Sequence, residues 1–185
     1  MQTIQPVQIE NAEGPILGLL ETLQSKQFAF LNERGEMSNL VRTMAQSAQT
    51  LDAYQQFQRT LTNGKLTAKL REQIALAVAQ ANRCQYSLAQ HAARASMLGM
   101  TNEEILASRE GRAADLKARV CLPFVQSLVT QNGSTVADLQ DAGFTDAEVV
   151  EVIAQVALNI FENYFAAVAQ IELDFPRVAQ LAKAA

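Results

Sequence analysis

From Ser38 onward the apolar residues recur at spacings of three and four almost without a break, and no window alternates apolar and polar residues with a period of two. A period near 3.6 lays one apolar stripe along a helix, whereas a half-buried strand needs a period of 2. The pattern therefore predicts an all-α chain with no sheet. Composition agrees, because 8 Gly and 4 Pro in 185 residues leave few helix breakers. Helical spans are predicted at about 38–48, 50–62, 67–82, 84–98, 102–109, 113–131, 134–141 and 145–170. Pro6, Gly14, Pro15, Gly18 and Gly35 mark residues 1–36 as an irregular lead with one short helix near 17–30. Residues 37–185 read as one helical domain.

The 15 basic and 19 acidic side chains give a net charge of -4. That balance argues against a nucleic-acid scaffold, whose phosphate contacts favour a basic surface. No run approaches twenty apolar residues, so no membrane partner is expected. Two cysteines, Cys84 and Cys121, are too few for a disulfide-stapled secreted scaffold, and the first residues lack the basic and apolar regions of a signal peptide. A cytoplasmic, reducing location is the expectation. No metal or organic cofactor is expected.

Thr101-Asn-Glu-Glu104 and Thr145-Asp-Ala-Glu148 have the form of a capping box, in which Thr and Glu reciprocally satisfy free amides at a helix start. Each follows a glycine suited to a left-handed helix end. The stretches Gly99–Ile105 and Gly143–Val149 match at an offset of 44, and Glu72-Gln-Ile-Ala echoes Glu151-Val-Ile-Ala at an offset of 79. Two readings stay open: a duplicated helical unit, or the same helix-start chemistry arising twice.

The residues that can carry chemistry cluster in 67–91. Leu70, Ile74, Ala77, Val78 and Ala81 form one apolar stripe around Glu72, and Cys84, Ser87 and His91 share a face of the following helix at i, i+3 and i+7. In an antiparallel hairpin turning near Arg83, Glu72 is eleven residues before the turn and His91 eight after it. At ~1.5 Å per residue the two arms differ by about 4.5 Å, one side-chain length. Glu72 is therefore expected to hydrogen-bond His91, fixing its tautomer and raising its basicity, so that His91 can take a proton from a group near position 87. Cys84, near a helix start, sits where the macrodipole favours a thiolate, but roughly 10 Å of helix separates it from His91.

Glu72, then Cys-x-x-Ser-x-x-x-His from Cys84 to His91, then Gly99–Ile105 resembles the core motif of the alkylhydroperoxidase D-like and carboxymuconolactone decarboxylase family. Asn159-Ile-Phe-Glu-Asn-Tyr-Phe165 and Glu172-Leu-Asp-Phe-Pro176 resemble the C-terminal helix of its peroxidase-related branch, so the likeness spans about residues 40–178. The resemblance implies an all-helical fold assembled as trimers or hexamers. In redox-active members it implies a Cys-x-x-Cys pair, with the second cysteine attacking peroxide, the first resolving the sulfenic acid, and Glu and His relaying protons. Here Ser87 stands in place of the second cysteine and Cys84 in the resolving position, so that disulfide cannot form within the motif.

Three functions follow. The first is a peroxidase-related, antioxidant oxidoreductase in which Cys84 is the redox thiol, Glu72 and His91 tune it, and an external thiol completes the cycle on a hydroperoxide. The second is a decarboxylase-like lyase or isomerase acting on a small organic acid through Glu72 and His91. The third is a non-catalytic homo-oligomer. For the second, Arg71, Arg83 and Arg94 are candidates to meet a substrate carboxylate. A Ser87-His91-Glu72 hydrolase is disfavoured because a helical serine lacks paired oxyanion donors. Cys121 is expected in the core. Asn159, Asn163 and Tyr164 interrupt an apolar helix and are expected to line the site or join subunits. That helix also carries Val149, Val152, Ile153, Val156, Ile160, Phe161, Phe165 and Val168 around much of its circumference, more than one protomer is expected to cover.

Overall fold

The computed structural model describes residues 2–26, 32, 34–130, 132, 135–179 and 181. Among these residues it holds α1 (Gly14–Lys26), α2 (Asn39–Met44), α3 (Ala48–Thr62), α4 (Ala68–Ala81), α5 (Gln85–Met97), α6 (Asn102–Arg109), α7 (Leu116–Thr130), α8 (Ala137–Asp141) and α9 (Asp146–Ala169), with no β-strand. The all-α expectation holds. The short lead helix starts at Gly14, earlier than the spacing predicts, and its expected last residues, 27–30, lie outside the described residues. The helix expected over 38–48 stops at Met44, because the Ser47 hydroxyl accepts the Thr50 N–H and caps α3 instead. The helix expected over 134–141 begins at Ala137, and residue 134 is not among those described.

The centre of the fold is α4, which packs against α5, α6, α7 and α9. Because neighbours surround it, the whole run from Gln73 to Ala79 is buried. Alanines at 75, 77 and 79 let the surrounding helices approach closely. On one side Ile74 and Val78 pack with Cys121, Leu122, Val149, Val152 and Val156. A second cluster joins α1, α2 and α3 to Cys84, Tyr86 and Leu158. The tail is pinned to it by Asp174, which accepts the Tyr86 hydroxyl at 2.8 Å and the Asn39 N–H at 2.8 Å.

Both capping boxes form, and Gly99 and Gly143 take left-handed conformations at φ 82° and 84°. The helices flanking the first junction have 13 and 8 residues, and those flanking the second have 5 and 24. The likeness is thus seen at the junctions, while the helices around them differ in length. The 24-residue α9 is long and apolar enough by composition to cross a membrane, yet half of its apolar window is buried inside the fold. Val149, Val152 and Val156 face the core, while Val150, Ile153, Phe161 and Val168 remain exposed.

Candidate active site

The turn between α4 and α5 builds the site. The Cys84 N–H donates to the Ala79 carbonyl at 2.9 Å and the Arg83 N–H to the Gln80 carbonyl at 3.1 Å. This reversal closes the helix end with Arg83 in the left-handed region, at φ 54°. A Cβ there carries a steric cost that glycine avoids. Arg83→Gly is expected to raise stability by about 0.5–1 kcal/mol in urea unfolding, since the relieved strain exceeds the added chain entropy; a loss of stability would mean that the Arg83 side chain contributes more than the turn costs.

Folding α5 back on α4 brings Glu72 and His91 together, as counting residues from the turn predicts. His91 Nδ1 lies 2.8 Å from Glu72 Oε2. A third helix completes the arrangement: Glu162 of α9 sets its Oε2 3.4 Å from His91 Nε2. That is a charge contact, longer than an ordinary hydrogen bond. The other oxygen of Glu162 accepts the Tyr54 hydroxyl at 2.9 Å. His91 is 3% exposed, Glu162 1% and Tyr54 3%.

Glu72, His91 and Glu162 line a cavity of about 210 Å³. Arg71, Arg94, Gln58, Thr62 and Gln155 add polar lining, and Ala68, Met97, Leu98 and Leu158 add apolar lining. Burial by itself disfavours a charged imidazole, but Glu72 and Glu162 outweigh it and raise the His91 pKa to about 9. Burial pushes the Glu72 carboxyl upward, and the facing His91, with Arg94 and Arg71 behind, more than reverses that and leaves it lowered. At neutral pH the unit is an imidazolium held between carboxylates. Both ring nitrogens face carboxylates, and the Ser87 hydroxyl oxygen accepts the Cys84 thiol.

Cys84 and Ser87 are held elsewhere on the same helix. The Cys84 thiol donates to Ser87 Oγ at 3.3 Å, Ser87 is fully buried, and Cys84 packs in the apolar cluster with Leu40 and Tyr86. Neither lines the cavity. Cys121 is buried in the core, as expected, and burial pushes its thiol up to about 12. Of the three candidate arginines, Arg71 and Arg94 line the cavity and Arg83 is exposed on the turn. Asn159 and Asn163 are buried, Asn159 donating to the Gln155 carbonyl at 2.7 Å, and Tyr164 is 63% exposed. Among the described residues no group of His, Cys, Asp and Glu is arranged to hold a metal ion.

Sequence reasoning missed Glu162 and Tyr54. Glu162 was legible in principle, since Gln155, Asn159, Glu162 and Asn163 form a polar stripe at i, i+4, i+7 and i+8 of an otherwise apolar helix. Tyr54 carries no such signal.

The carboxymuconolactone decarboxylase family model matches residues 48–120, which run from α3 through α4 and α5 into α7. No curated protein matches the sequence. Among solved structures, the alkylhydroperoxidase AhpD core of a peroxidase-related protein from Ralstonia eutropha superposes with a TM-score of 0.79 at 20% identity, covering 93% of this chain and 92% of that one. A peroxidase-related protein from Silicibacter sp. gives 0.73 at 20% identity, covering 91% of each chain. The debrominase Bmp8, as a cysteine-to-alanine variant in complex with 2,3,4-tribromopyrrole, gives 0.75 at 16% identity, covering 94% of this chain and 92% of that one. Residues 48–120 thus carry the carboxymuconolactone decarboxylase family signature, within a chain that has the all-helical fold of the alkylhydroperoxidase D-like, peroxidase-related proteins.

Proposed function

We propose that this chain is a small-molecule enzyme working by proton transfer, a lyase or isomerase related to the carboxymuconolactone decarboxylases, with His91 as the acid. The observation that carries the reading is that both nitrogens of a buried imidazolium face carboxylates in a cavity that Cys84 does not line. Such an acid gives its proton to an oxygen where negative charge develops, and Glu72 stabilises the charged ring until then. Small organic acids are screened as substrates, in line with Arg71 and Arg94 in the lining. His91→Gln is expected to lower turnover at least about 100-fold while Cys84→Ser leaves it unchanged. Loss of turnover in Cys84→Ser would overturn the reading.

A second reading, a thiol-dependent peroxidase-type oxidoreductase, is favoured by one observation: the Cys84 thiol meets Ser87 at the start of the helix that carries His91. Cys84 would be oxidised by a hydroperoxide to a sulfenic acid, and an external thiol would return it. The 3.3 Å contact makes the consequence of a second thiol specific. Ser87→Cys is expected to form a reducible disulfide with Cys84, seen by intact mass as a loss of two hydrogens, and under this second reading peroxide turnover rises with it. A variant that stays fully reduced in air would contradict the proximity of the two side chains.

Self-association belongs to the same proposal. Val150 (65% exposed) and Val168 (77% exposed), with Ile153, Phe161 and Tyr164, leave a large apolar area of α9 uncovered. A homo-oligomer, trimer or hexamer, is expected by sedimentation at micromolar concentration. A stable monomer there would contradict it.

A further inference from the structure

Glu162 Oε2 and His91 Nε2 are buried, lie 3.4 Å apart, and neither has a hydrogen-bond partner. Both residues line the cavity. A carboxylate buried in an apolar helix is expensive, and a leucine of similar bulk would serve packing better. The Tyr54 hydroxyl occupies the other carboxylate oxygen, which fixes the plane of the group and turns Oε2 toward the ring. We propose that Glu162 is a second catalytic residue, the base beside His91 Nε2 on the same cavity wall, that Tyr54 is its positioning residue, and that the substrate is a small carbonyl compound with an acidic C–H beside the carbonyl.

This inference rests on His91 acting as an acid. The Glu162 carboxylate removes the proton from carbon, the C–H electron pair becomes the new carbon–carbon double bond, and the carbonyl π pair moves to oxygen. That oxygen takes the proton from His91 Nε2, giving the enol. After release, the proton on Glu162 crosses to the neutral ring and restores both groups. Nothing is oxidised or reduced, and one proton has moved from carbon to oxygen. The charged and titratable groups around the ring are Glu72 and Arg71 on α4, Arg94 on α5, Glu162 on α9 and Tyr54 on α3. Arg71 and Arg94 bring cationic charge to the lining, which suits a carbonyl compound bearing a carboxylate.

The test follows exchange of the methyl protons of pyruvate, the probe, in deuterated water with the full chain. Wild type is expected to accelerate exchange over buffer, and Glu162→Gln, which keeps the volume and an acceptor for Tyr54, to lower the rate at least about 100-fold. Tyr54→Phe is expected to lower kcat about tenfold with KM little changed and to displace the pH profile, which a purely structural tyrosine would not do. Thermal melting of each variant confirms folding. No acceleration by wild type, or an unchanged rate in Glu162→Gln, overturns the proposal. A wild-type His91 that titrates near 9 alongside either result leaves the acid reading standing, whereas titration near 6.5 removes that reading first.

Discussion

The folded chain is expected to lose about 2 kcal/mol of stability between pH 6.5 and about pH 8.5. The sign follows from His91. Its pKa is about 9 in the folded state against 6.5 for an unperturbed histidine, so the folded state binds the proton more tightly. A shift of that size corresponds to roughly 3 kcal/mol, fully present below the unfolded value and lost as pH rises through the folded one. Because Glu72 and His91 share the interaction, it is counted once. Glu72, whose carboxyl is held low, adds a loss at the other end, as acid protonates it below the usual carboxylate range. The Cys121 thiol, buried and held near 12, contributes a further loss only above about pH 8.5, where the unfolded thiol ionises. Urea unfolding across the window checks this, and His91→Gln is expected to flatten the slope. An equal slope in His91→Gln would place the effect elsewhere.

Ile74→Ala is expected to cost about 3–4 kcal/mol. Ile74 is fully buried on α4 and packs with Val78, Leu122 and Val152, so its removal leaves a cavity in the helix that packs against α5, α6, α7 and α9. The position also matters to the site, because Glu72 is two residues earlier on the same helix. The urea midpoint should fall with little change in the dependence on denaturant. A cost below about 1 kcal/mol would mean that α4 is not the element on which the fold depends.

Much of this was legible in the sequence, for local reasons. Capping boxes at Thr101 and Thr145 and glycines at 99 and 143 act within a few residues, and each appears in the structure where its spacing places it. The approach of Glu72 and His91 was legible because a hairpin turns two sequence distances into one height. What escaped depended on distant packing. Glu162 is 71 residues from His91 and Tyr54 is 108 from Glu162, and no local rule brings them together. The same distant carboxylate adds to the rise that Glu72 gives the His91 pKa. Ser87 pairs with Cys84 rather than with His91, a choice that the i+3 and i+4 spacings alone leave open.

His91 is the one histidine in the sequence, so the ring nitrogens of a nitrogen-15-labelled sample give an unambiguous titration. Both ring nitrogens are expected to carry protons at pH 7, with a midpoint near 9. A ring that is neutral at pH 7, with a midpoint at or below 6.5, would contradict the claim that Glu72 and Glu162 hold His91 as an acid.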